Sequence, residues 1–285
     1  MRTFLDKLHD LKLKEIAQRR KIISENNLRS QAEELGNATD FRTALLRAPD
    51  ESISLIAEVK SKAPGRKNVE SLDPEAVVRD YESGGAKAIS VLTDENWFGG
   101  SLETLEIVHE ATVLPLLHKE FIITPYQLLE GRLRGASAAL ILAYYFQQAE
   151  LAKIIAEAKT IGLEAVVECS LETELPRALA VNPEILMINN RAIAAIPEEP
   201  VKTYDLGSVD VISSWWERNP ELRSWKKQPG KLLISASCVY SKKDIQSLLK
   251  IPCDAVLIGN AAMVAPDRAA FIRSLSKTAK ESLSS

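Results

Sequence analysis

SLIAEVKSKAPG, residues 54–65, opens as an apolar run and then sets Glu58 and Lys60 two positions apart at its end. Side chains two apart on a strand share a face. A strand that its apolar residues would bury therefore aims a carboxylate and an ammonium the same way. Such a strand suits a barrel whose strand ends open on a site.

Seven further β-branched or apolar stretches follow at intervals. They are AISVLT (88–93), LPLLHKEF (114–121), AALILAYY (138–145), EAVVEC (164–169), EILMINN (184–190), KLLISAS (231–237) and DAVLIGN (254–260). Helical patterns lie between them. DPEAVVRDYESGG has Asp73 as N-cap, Pro74 in the first turn and glycines past the end. QAELAKIIAEAKTIG and the late PDRAAFIRSLSKTAK also carry apolar residues at helical spacing. Eight strands alternating with helices predict a (β/α)₈ TIM barrel, an α/β fold of about 250 residues. An open doubly wound sheet would be expected to show a glycine-rich first βα turn, and this chain has none.

Residues 1–50 read as an N-terminal helical extension packed on the barrel, and 51–285 as the barrel itself. The longest connection, 191–230, holds Trp215, Trp216 and Trp225 and predicts one helix engaged in packing.

The bulk composition narrows the function. The chain has 285 residues, 46% apolar, with a net charge of −3. That balance gives no reason to expect nucleic acid or an anionic membrane as partner. No apolar run approaches the length needed to span a bilayer. Cys169, Cys238 and Cys253 form no CxxC or Cys/His cluster, and His9, His109 and His118 are scattered. The expectation is reduced thiols in a cytoplasmic protein with no metal, as a monomer or weak homo-oligomer.

In such barrels the active site lies at the C-terminal strand ends. Polar residues gather there: Glu58 and Lys60, Thr93, Lys119, Glu168, then Asn189, Asn190 and Arg191, Ser237, and Gly259 with Asn260. Lys119 and Glu168 each interrupt an apolar run. His118 and Cys169 neighbour them in sequence and should face the other way. The loops after strands 7 and 8 fit loosely with a phosphate site.

These segments together resemble the indole-3-glycerol phosphate synthase family. The likeness is carried by LIAEVKSKAP (55–64), YESGGAKAISVLTDENWFGGSLE (81–103), LPLLHKEFIITPYQLLEGRLRGA (114–136), VVECS (166–170) and INNR (188–191). The resemblance implies a carboxy-lyase of tryptophan biosynthesis. It would convert 1-(2-carboxyphenylamino)-1-deoxyribulose 5-phosphate to indole-3-glycerol phosphate, CO₂ and water, without a cofactor. It implies catalytic roles for Glu58, Lys60, Lys119, Glu168 and Asn189. It implies substrate contacts from Arg191, Ser237, Lys62, Cys238, Gly259 and Asn260.

The departures from the family pattern fall on the binding side. Ala63 stands where a serine is usual, with Arg66 and Lys67 nearby as alternative charges. Ala236 and Cys238 stand where glutamate and glycine are usual. Asn260 replaces Ser or Thr, and Thr124 and Ala192 replace aspartates. A diverged paralogue acting on a related phosphorylated or carboxylated ligand is the alternative reading, and a non-catalytic binding relative is another. The retained lysines weigh against the latter, because buried charge without a role is costly.

Overall fold

Three helices precede the first strand: α1 (Phe4–Ile22), α2 (Glu25–Glu33) and α3 (Phe41–Leu45). The chain then alternates through β1 (Ser54–Val59), α4 (Pro74–Gly84), β2 (Ala88–Leu92), α5 (Glu95–Phe98), α6 (Leu102–Ala111), β3 (Leu116–Lys119) and α7 (Pro125–Leu133). It continues through β4 (Ala138–Leu142), α8 (Gln148–Thr160), β5 (Glu164–Cys169), α9 (Leu175–Ala180) and β6 (Ile185–Asn189). Last come α10 (Asp210–Arg218), α11 (Pro220–Lys226), β7 (Leu232–Ala236), α12 (Lys242–Leu248), β8 (Ala255–Ile258), α13 (Asn260–Met263) and α14 (Arg268–Ser276). The structure is a computed structural model and describes residues 2–36, 38–48, 51–62, 72–196 and 207–278. All eight strands pair in parallel with their sequence neighbours, and β1 closes on β8.

Strand alternation sorts the side chains into two cores. Leu55, Ala57 and Val59 of β1 pack outward against the helices. Ile56 packs inward with Leu117, Val166, Met187, Ile234 and Leu257. Glu58 and Lys60 continue the inward series, as do Lys119, Glu168 and Asn189 on their own strands. The apolar lower layers fill the barrel, so the polar layer is lifted to its mouth.

Helix ends follow local chemistry. Asp73 caps α4 by accepting from Ala76 N–H, and Gly85 ends it at φ 95°, a left-handed position that suits glycine.

The N-terminal helices contact both ends of the barrel. Arg42 of α3 reaches Glu164 and Glu184 at the strand starts, while Phe41 and Leu45 join the inner core. At the opposite end Phe4 N–H donates to Ile196 O at 2.8 Å. Tyr144 Oη donates to Asp6 Oδ1 at 2.9 Å, and Tyr145 Oη donates to Leu5 O at 3.1 Å.

Two segments differ from expectation. AALILAYY ends as a strand at Leu142, and Ala143–Tyr145 forms a 3₁₀ turn that hands both tyrosines to α1. Among the described residues of the 191–230 connection there are two α-helices, not one. Asn219–Pro220 separates α10 from α11, because proline lacks an N–H and disfavours helix in the residue before it. Trp215 and Trp225 are buried in the outer core there. Among the described residues no helix is long and apolar enough to cross a membrane, and no group of His, Cys, Asp and Glu is placed to hold a metal ion.

Candidate active site

A cavity of about 150 Å³ opens at the C-terminal strand ends. Its polar wall collects residues distant in sequence: Glu58 and Lys60 from β1, Lys119 from β3, Glu168 from β5, and Asn189 and Arg191 from the end of β6. Ser237, Cys238, Gly259 and Asn260 line the side formed by β7 and β8. Each strand delivers its polar residue at the point where its inward series reaches the rim.

Glu58, which is buried, and Lys60, which is partly buried, form an ion pair. Burial opposes the Glu58 charge, but Lys60, with Lys119 and Arg191, outweighs it and holds the carboxyl below its ordinary range. Gly259 covers this pair closely. A Cβ there would stand 2.3 Å from Glu58 Oε1 and 2.7 Å from Lys60 Nζ. Across the mouth, Lys119 Nζ lies 3.7 Å from Glu168 Oε2. Asn189 Nδ2 donates to Glu168 Oε1 at 3.1 Å, and Asn189 Oδ1 accepts from Arg191 N–H at 3.1 Å. Glu168 is therefore fixed through one oxygen. Its other oxygen, buried and without a hydrogen-bond partner among the described residues, faces Lys119.

Ser237 and Cys238 both adopt left-handed backbone, at φ 70° and 64°. Non-glycine residues rarely do so, and two in succession mark a turn held by its surroundings. The Cys238 side chain packs where Gly207 leaves room, since a Cβ on Gly207 would come within 2.8 Å of Sγ.

The wall also contains residues that the strand-end pattern does not single out. Phe4, Phe98 and Phe121 form an aromatic side, and Tyr240 accompanies Arg191, whose Nη2 donates to Tyr240 Oη at 3.0 Å. Phe121 had a usable signal, since it lies two residues after Lys119. Phe4 had none, because its place depends on how α1 docks.

Lys62 is not brought to the cavity. It is exposed, and its backbone N–H donates to Phe98 O at 3.0 Å. Thr93 also turns away from the mouth, with its hydroxyl 2.9 Å from both His118 Nε2 and Glu120 Oε2. His118 sits on the outer face against Gly131, and burial, with Arg19 and Lys12 nearby, pushes it down to about 3. Cys169 lies in the outer core, where burial raises its thiol well above the usual range. Ala236 is buried at the end of β7 and faces the cavity, in register with Asn189 and Leu257. Ala63, Arg66 and Lys67 lie outside the described residues.

Three cations, Lys60, Lys119 and Arg191, meet two carboxylates, Glu58 and Glu168, beside aromatic and aliphatic side chains. This arrangement can bind an anion with an apolar body and move protons between fixed acids and bases.

Comparison with known proteins agrees with that chemistry. The family model for indole-3-glycerol phosphate synthase matches residues 5–275. The indole-3-glycerol phosphate synthase of Carboxydothermus hydrogenoformans is 33% identical over 269 residues, covering 93% of this chain and 96% of the relative. That of a Roseiflexus species is 36% identical over 282 residues, covering 96% of this chain and 98% of the relative. Among solved structures, thiamine phosphate pyrophosphorylase from Pyrococcus furiosus shares the fold, with a TM-score of 0.52 and 11% sequence identity over 81% of this chain and 96% of that one.

Proposed function

This chain belongs to the indole-3-glycerol phosphate synthase family, and from that premise we propose how its own residues carry the family's reaction. The substrate is a phosphorylated sugar chain joined to a 2-carboxyphenylamine. Ring closure requires the ring carbon that bears the carboxylate to attack the ketone carbon. Negative charge builds on the ketone oxygen, which takes up a proton. CO₂ leaves, and its bonding pair restores the benzene ring. The hydroxyl is then protonated and leaves as water while the neighbouring CH₂ gives up a proton, which completes the indole.

Lys119 is assigned as the acid that meets the ketone oxygen. A preplaced ammonium in a site shielded from water lowers the barrier to that charge. Glu168 is assigned to proton transfer as the hydroxyl leaves. The observation that carries both assignments is their placement: Glu168 is anchored by Asn189 through one oxygen and faces Lys119 with the other. Lys60 pairs with the substrate carboxylate and is a second proton donor for dehydration, with Glu58 fixing its position. Phe98 and Phe121 flank the aromatic ring. Arg191 and Ser237 hold the substrate, with the phosphate toward the rims of β7 and β8 and the start of the loop after β1. Residues 1–50 act as an extension of the barrel of 51–285, since α1 supplies Phe4 to the cavity wall.

The polar core of the site also fits a diverged copy acting on a related ligand, a reading favoured by Ala236 and Cys238 on the binding side. Two variants test the assignments. Glu168→Gln should lower kcat by at least about a hundredfold with little change in KM, as expected for a group used in the transition state. Lys60→Met should raise KM as well as lower kcat. Unchanged kcat in Glu168→Gln would remove that residue from the reaction.

A further inference from the structure

The aromatic side of the cavity depends on a buried charge cluster that does not itself touch the cavity through its cation. Lys12 of α1 is almost fully buried, and its ammonium meets Asp94 Oδ2 at 2.8 Å, Glu15 Oε2 at 2.9 Å and Glu120 Oε1 at 3.1 Å. Two of these carboxylates are occupied in holding backbone. Asp94 Oδ1 accepts from Trp97 N–H at 2.7 Å and from Phe98 N–H at 3.2 Å. Glu120 Oε1 accepts from Phe121 N–H at 2.7 Å. The two phenylalanines whose N–H groups are held in this way both line the cavity, with ring centroids 5.9 Å apart and planes tilted by 37°. Trp97, held by the same Asp94, meets Phe4 edge-on at 4.8 Å, and Phe4 also lines the cavity.

Asp94 and Glu120 come from different βα loops, and Lys12 comes from outside the barrel. Its ammonium lets two buried carboxylates stand close together. Without that charge they repel, and a buried ion left without its partner drives local rearrangement. The groups that would rearrange are the ones carrying the aromatic wall.

We propose that Lys12 is a positioning residue for the reaction, setting the separation of Phe98 and Phe121 through Asp94 and Glu120 and so the fit of the substrate's aromatic ring. This rests on the reading of the site as one for an arylamine sugar phosphate. It predicts an effect on the aromatic half of the ligand and none on the phosphate half.

The experiment uses the full chain and two probes, anthranilate and inorganic phosphate, with steady-state kinetics alongside. In Lys12→Met, anthranilate binding should weaken about tenfold and KM should rise by a similar factor, while kcat stays within about threefold. Phosphate affinity should stay within about twofold of the parent. Lys12→Arg, which keeps the charge, should recover part of the loss. If Lys12→Met does not fold, Lys12→Gln serves instead. It removes the charge while keeping a donor for the carboxylates, and the same selective pattern is expected at about threefold. Equal weakening of both probes, or no weakening of either in a folded variant, overturns the role of Lys12. A parent protein that binds phosphate but not anthranilate overturns the underlying reading of the site, and the proposal with it.

Discussion

Gly259 lies directly over the Glu58 carboxylate, so close that a Cβ at residue 259 would stand 2.3 Å from Glu58 Oε1. The same Cβ would meet Lys60 Nζ at 2.7 Å. Glu58 is buried and Lys60 partly so, and both atoms are the ends of side chains, so it is the ion pair that must move aside. Gly259→Ala is therefore expected to displace both charged groups and lower kcat/KM by at least about tenfold. Steady-state kinetics beside a thermal melt separate this from unfolding. Full activity in the variant would mean that the geometry of the pair is not needed.

Ala236 ends β7 on the cavity side, in register with Asn189. A glutamate is usual there in the family that the sequence resembles. Ala236→Glu should raise kcat/KM on the carboxyphenylamino-deoxyribulose phosphate, by about threefold or more. A fall would show that the mouth is shaped around a different molecule, as the diverged-copy reading requires.

His118 makes a prediction about acid stability. Burial, with the charges of Arg19 and Lys12, pushes it down to about 3 from an ordinary 6.5. The folded protein keeps the imidazole neutral, while the unfolded chain protonates it below about 6.5. The unfolded state then binds the extra proton, so stability falls as pH drops from about 6.5 toward 3, with a slope near 1.4 kcal/mol per pH unit from this group. Glu58, held low, adds stability that is present above about pH 4.5 and lost as pH falls through its folded value. Urea unfolding of the parent and of His118→Gln across pH 4–7 isolates the histidine. The variant should lose stability less steeply. Identical slopes would contradict a neutral buried imidazole.

Much of this architecture was legible in the sequence, for a physical reason. A barrel strand writes its geometry locally: every second residue faces inward, so Glu58, Lys60, Lys119 and Glu168 declare their side by position. His118 and Cys169 declare the opposite side by the same rule. Of the aromatic wall, Phe121 was legible two residues after Lys119, and Phe4 was not. Phe4 reaches the cavity because α1 docks there, and α1 docks through contacts as remote as Asp6 with Tyr144. Lys62, given as a substrate contact by the resemblance, is exposed and lies off the cavity wall. Thr93 sits at a strand end, yet its hydroxyl bonds His118 and Glu120. A polar residue at a strand end can satisfy a neighbouring loop as readily as a ligand. The split of 191–230 into two helices was written in Asn219–Pro220.

Lys119 and Glu168, facing each other across the mouth, are proposed to act together on one substrate. The most direct test of this is turnover of 1-(2-carboxyphenylamino)-1-deoxyribulose 5-phosphate by the purified chain, followed through indole fluorescence. The predicted result is formation of indole-3-glycerol phosphate by the parent and a loss of at least about a hundredfold in kcat in Lys119→Ala. Absence of product from the parent, or a Lys119→Ala variant that turns over at the parent's rate, would contradict it.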